Sequence, residues 1–120
     1  MTVEEFYEKI GGGYDEAMRQ LRKEDRIVKY LGMFLRDDSF AKLKDGMERL
    51  DIDAAFIGAH TLKGVAANLA LLRLKELSSE LTEYLREGQR DVEQAKRVYP
   101  DVAACYDRVI AAVKELVEEK

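Results

Sequence analysis

A chain of 120 residues with 20 basic and 24 acidic side chains, a net charge of -4 and 47% hydrophobic residues is sized for one domain around a single core. Its charges are interspersed, so it lacks the basic stripe of a nucleic-acid binder. No apolar run approaches the roughly 20 residues needed to span a bilayer. The opening "MTVEEFYEKI" has no apolar signal-peptide segment, and one cysteine excludes an internal disulfide framework. These features predict a cytoplasmic protein without membrane or nucleic-acid partners. The initial methionine and compact length are those expected of an independent product.

The predicted elements are helical throughout. One proline and abundant Ala, Leu, Glu, Lys and Arg leave no alternating strand pattern. Thr2 and Glu5 can form a capping box for a short first helix, which "GGGY" (Gly11 to Tyr14) ends. "DEAMRQL" supplies a second short piece. From Asp25, Ile27, Tyr30, Leu31, Phe34 and Leu35 recur at helical spacing. "DDS" (Asp37 to Ser39) starts a new helix or bends the same one, and Phe40, Leu43, Met47 and Leu50 continue the stripe. Asp51 is placed to cap a helix running to about Ala70.

A further helix is predicted from about Leu72 to Glu87, with Leu74, Leu77, Leu81, Tyr84 and Leu85 as its apolar face and Gly88 as its stop. Asp91 with Gln94 resembles another capping box. Pro100 should kink or break that last helix, beyond which Val102, Tyr106, Val109, Ile110, Val113 and Val117 form a stripe. The fold class expected is all-α: an antiparallel four-helix bundle over about 24–118, preceded by short N-terminal helices over about 2–22, in one domain spanning 1–120.

The only histidine, His60, lies within "AHTLKG". At about 100° per residue, Ala55, Ala59, Leu62, Ala66 and Leu69 share a core face, and His60 falls about 140° from its middle. The ring is therefore expected on the surface, with Lys63 and Gly64 bordering it at i+3 and i+4 and Ala67 on the same flank. An exposed imidazole is largely neutral at pH 7 and can act as a nucleophile. Lys63 would place an ammonium suited to a phosphoryl group beside it. Gly64 costs a helix interior about 1 kcal/mol relative to alanine. That cost makes sense if Gly64 and Ala67 leave room for a bulky partner. The competing reading is an incidental or structural histidine, which a core position would favour and the exposed phase does not.

"AHTLKG" followed by "VAANLALLRLKELSSELTEYL" resembles the histidine-containing phosphotransfer (HPt) domain family. His60, Leu62, Lys63 and Gly64 match its short motif, and Leu69, Leu74, Leu77 and Leu81 match the apolar positions that follow; the looser likeness covers about Asp25 to Leu116. The resemblance implies a bundle in which His60 accepts a phosphoryl group at its distal ring nitrogen from an aspartyl phosphate on a response-regulator receiver domain, then passes it to another receiver. A hybrid sensor histidine kinase is a further candidate partner. The resemblance also implies that magnesium belongs to the receiver alone, that this chain has no cofactor, and that it has no autokinase activity. Ala70 stands where the family commonly has glycine. Thr82 stands where many members present a glutamine to the ring, and takes the candidate orienting role.

Phe56, one turn before His60, either joins an apolar docking rim or packs under the N-terminal helices. Asn68, two turns beyond His60, either meets a partner or solvent. "GGGY" lacks the lysine-serine or lysine-threonine pair of a phosphate loop. Cys105 is expected as a small buried hydrophobe. Met33, Met47, Tyr30 and Tyr106 are expected in the core. One histidine and one cysteine far apart offer no soft metal-ligand set. Three functions stay open at this point: a monomeric phosphoryl carrier, a helical adaptor that binds receivers or other signalling domains without carrying phosphate, and an accelerator of phosphate loss from a receiver.

Overall fold

The computed structural model describes residues 1–118, and their regular structure is helical: α1 (Val3–Ile10), α2 (Tyr14–Leu21), α3 (Glu24–Phe34), α4 (Ser39–Arg49), α5 (Ile52–Asn68), α6 (Leu72–Leu85) and α7 (Val92–Glu118). Local chemistry sets several of the ends. Glu5 N donates to Thr2 Oγ1 at 3.0 Å while Thr2 N donates to Glu5 Oε1 at 2.8 Å, a complete capping box. Asp51 accepts from Ala54 N, and Asp91 accepts from Gln94 N, each at 3.2 Å.

Two helices end in the same unusual way. At the end of α4, Asp51 N donates to Gly46 O and Leu50 N to Met47 O, with Leu50 left-handed at φ 53°. At the end of α5, Leu71 N donates to Ala66 O and Ala70 N to Ala67 O, with Ala70 left-handed at φ 54°. These are Schellman caps, whose left-handed position favours glycine because it has no Cβ. The Ala70 cap gives a physical reason for a glycine at that place. Leu50, expected to continue the apolar stripe, instead projects 54% exposed from its cap.

α4 lies directly on α5. A Cβ added to Gly46 would stand 2.5 Å from Ala55 N, and one added to Gly58 would stand 2.5 Å from Leu43 N. The helices cross at a separation only glycine allows. Gly46 opposite Ala55, Leu43 opposite Gly58 and Phe34 beside Leu69 run in one antiparallel register. α3 and α4 are therefore two segments of a single bundle arm, interrupted at Leu35–Asp38. Ser39 N and its hydroxyl donate to Asp37 where the second segment begins.

Short links join α4 to α5, α5 to α6 and α6 to α7, which packs neighbours antiparallel. The Phe40 ring stacks on Tyr106 at 4.1 Å and faces Tyr99 at 6.3 Å, joining α4 to α7 and closing the four-helix bundle. α1 and α3 pack on α7, and α2 on α3. Tyr7 anchors α1: its buried hydroxyl donates to Leu69 O at 2.8 Å.

Two further boundaries differ from expectation. α7 runs unbroken through Pro100. Lys96 and Pro100 are both exposed, so water can satisfy the carbonyl that proline leaves without a donor. α6 ends at Leu85 with Arg86 extended, and Gly88 lies in the link at φ 89° rather than at the cap. Tyr30 and Met33 are not core residues: they are 40% and 46% exposed, on the outer side of α3. Met47 and Cys105 are buried as expected, and Tyr106 is half-buried.

Candidate functional site

α5 sits between two neighbours, α4 on one flank and α6 on the other. Ala55, Ala59, Leu62 and Ala66 are fully buried and Leu69 nearly so, which turns the opposite side of the helix to solvent. His60 is exposed on that outer side, with Gly64 exposed and Lys63 and Ala67 half-buried beside it. Among the described residues, nothing lies within 4 Å of a Cβ built on Gly64. The two glycines of α5 thus have opposite causes. Gly58 is demanded by α4, whereas no packing contact among the described residues demands Gly64.

Phe56 belongs to this face. Its ring centroid lies 5.7 Å from that of His60, and the Arg86 guanidinium sits 5.1 Å from the Phe56 centroid. This corrects the expectation that Phe56 packs under the N-terminal helices. α1 packs on α7, with Tyr7 reaching the Leu69 end of α5. Phe56 instead lines an open hollow of ≈ 460 Å³ with Asp53, Ile57, Arg86, Glu87 and Arg90. Ile57, 59% exposed, adds a second apolar side chain to the rim.

Thr82 is fully buried, and its hydroxyl donates to Ser78 O at 2.6 Å within α6. That bond corrects the assignment of Thr82 as an orienter of the His60 ring, and equally its alternative as a surface threonine. The α6 side chain that does face the site is Glu83. Hydrogen bonds from Arg86 hold its carboxyl below the ordinary range, and Arg86, Lys63 and His60 add favourable charge. The pairing with Glu83 raises the Arg86 guanidinium in turn. Neither residue carried a motif. The one available signal was their spacing of three, Glu83 in the last turn of α6 and Arg86 just past its end.

Asn68 is exposed but stands away from His60. With Tyr30, Met33, Phe34, Val65 and Leu69 it lines an open groove of ≈ 380 Å³ between α3 and the end of α5. Cys105 is buried, and burial pushes its thiol up despite the lowering influence of Arg108. Among the described residues, no group of three or more His, Cys, Asp or Glu side chains is clustered to hold a metal ion. No helix among them is long and apolar enough to cross a membrane.

An exposed imidazole flanked by an ammonium and by empty space can present a ring nitrogen to a bulky electrophile. Comparison with known proteins bears on which kind. A family model described as Hpt domain matches residues 29–118, which includes His60 and every residue placed around it. No curated protein and no solved structure matches the chain. The match covers most of the chain, which therefore belongs to the Hpt domain family, the phosphocarriers that work with response-regulator receiver domains in two-component phosphorelays.

Proposed function

We propose that this protein takes a phosphoryl group onto His60 from an aspartyl phosphate on one receiver domain and delivers it to another receiver. The observation that carries the reading is the exposed placement of the only histidine, beside a glycine with open space above it. In the transfer, the distal nitrogen Nε2 attacks phosphorus while the proximal nitrogen Nδ1 keeps its proton. The N–P bond forms, the acyl P–O bond breaks, and the electron pair leaves on the receiver's aspartate carboxylate. The reverse steps deliver the group to the next receiver.

Lys63 supplies positive charge as the phosphoryl group passes between the two proteins. Gly64 and Ala67 keep the approach clear, and Phe56 and Ile57 form the apolar rim against which a receiver seats. The magnesium ion is the receiver's. The protein works as a monomer, since the face around His60 must stay open, and has no autokinase activity.

The test is transfer of label from a phosphorylated receiver to the wild-type protein and to His60→Gln. Acid-labile label on the wild type alone supports the carrier. Binding without label on either protein moves the function to an adaptor. Phosphate released to solution faster than the receiver alone releases it moves the function to acceleration of phosphate loss.

A further inference from the structure

The flank of His60 that faces α6 holds a pair of opposite charges. Arg86 Nε and Nη2 donate to the Glu83 carboxylate at 2.9 to 3.3 Å. The same guanidinium lies over Phe56, whose ring is the neighbour of His60. The side chains are 37% and 47% exposed, and an exposed ion pair three residues apart is held weakly. Of the other charges here, Asp53 is already engaged by Arg90 at 2.9 Å, Glu87 lines the hollow next to Arg86, and Lys63 stands on the His60 helix itself.

Phosphorylation of His60 would change the competition for Arg86. A phosphoryl group brings up to two negative charges and three acceptor oxygens. A guanidinium binds such an anion through a planar fork, with more charge to attract it than a single carboxylate offers. We propose that Arg86 is a second phosphate-facing cation of this site, parked on Phe56 and Glu83 while His60 is bare and handed from the carboxylate to the phosphoryl oxygens once His60 carries the group. Phe56 is the platform along which the guanidinium slides, and Glu83 is the competitor that returns it when the group leaves. The proposal rests on the reading of His60 as the acceptor.

Phosphoramidate, a small phosphodonor that needs no partner protein, provides the test on the full chain. The second ionisation of the phosphoryl group is followed by phosphorus NMR as pH is varied. A nearby cation favours the dianion, so the wild type should titrate about half a pH unit or more below Arg86→Met. Arg86→Lys should recover part of that shift, and Glu83→Gln should lower the titration by more in the wild type than in Arg86→Met, the excess measuring the guanidinium it releases. The Arg86 Nε–H resonance should move on phosphorylation of the wild type. Equal titration in the wild type and Arg86→Met, or an unmoved Nε–H resonance, overturns the assignment while leaving the carrier reading intact. Absence of phosphohistidine on the wild type removes the acceptor reading and the Arg86 assignment with it.

Discussion

At the scale of single residues, position and chemistry separate cleanly around His60. The ring is exposed, so His60→Gln should abolish acceptance of phosphate and leave stability within about 0.5 kcal/mol of the wild type. Thermal unfolding beside the transfer assay checks both halves, and global unfolding of the variant would contradict the exposed placement. Gly64 carries a sharper expectation because its two effects have opposite signs. With no neighbour among the described residues within 4 Å of its Cβ position, Gly64→Ala should stabilise the protein by about 1 kcal/mol. A large side chain there, as in Gly64→Leu, should slow receiver-to-histidine transfer without loss of stability. Normal rates in Gly64→Leu would reject the clearance role. Thr82 lies outside this chemistry, since its buried hydroxyl is spent on the Ser78 carbonyl.

At the scale of helices, the site depends on how α5 is held between its neighbours. Gly46 and Gly58 let α4 and α5 meet backbone to backbone. Gly46→Ala or Gly58→Ala should force them apart at a cost of about 1–3 kcal/mol, measured by urea unfolding. Pro100 has the contrary sign: Pro100→Ala restores a helical donor at an exposed position and should stabilise α7 by about 1–3 kcal/mol. The face on which His60 sits was legible from the 3.6-residue period alone, because α5 buries a clean stripe from Ala55 to Leu69. The caps at Thr2, Asp51 and Asp91 were legible for the same local reason. Glu83 and Arg86 were not, because the approach of Glu83 to His60 and of Arg86 to Phe56 depends on how far α6 is rotated about its own axis. Periodicity within one helix does not fix that rotation. Tyr30, Met33 and Leu50 were misplaced by a related limit: an apolar side chain at the edge of a stripe faces either the core or a groove, depending on a neighbour distant in sequence.

At the scale of the whole molecule, Tyr7 ties the first helix to the junction of α5 and α6. Burial pushes its phenol far above the ordinary tyrosine range. Above about pH 10 the unfolded chain loses a proton that the folded chain keeps. The stability this group contributes is full below that pH and falls by up to about 1.4 kcal/mol per pH unit as alkalinity rises toward the folded value. Tyr7→Phe leaves the Leu69 carbonyl without its donor, so it should cost about 1 kcal/mol at neutral pH and make the alkaline decline shallower. Denaturant unfolding at pH 7 and pH 11 measures both. Tyr99 and Tyr106 are also raised, burial being the first cause for each, so part of the slope remains.

The seat of α1 also bears on the order in which the protein acquires its shape. Val3, Phe6, Tyr7 and Ile10 are buried, yet α1 packs on α7, and Lys9 pairs with Glu115 at 3.1 Å across a separation of 106 residues. During synthesis, α1 leaves the ribosome with its apolar side uncovered and waits for nearly the whole domain to follow. Contacts so distant along the chain form late, and an apolar surface left bare in the meantime is open to wrong partners. α1 is thus made before the helices it packs on and is among the last of them to find its place, waiting until translation has brought out α7.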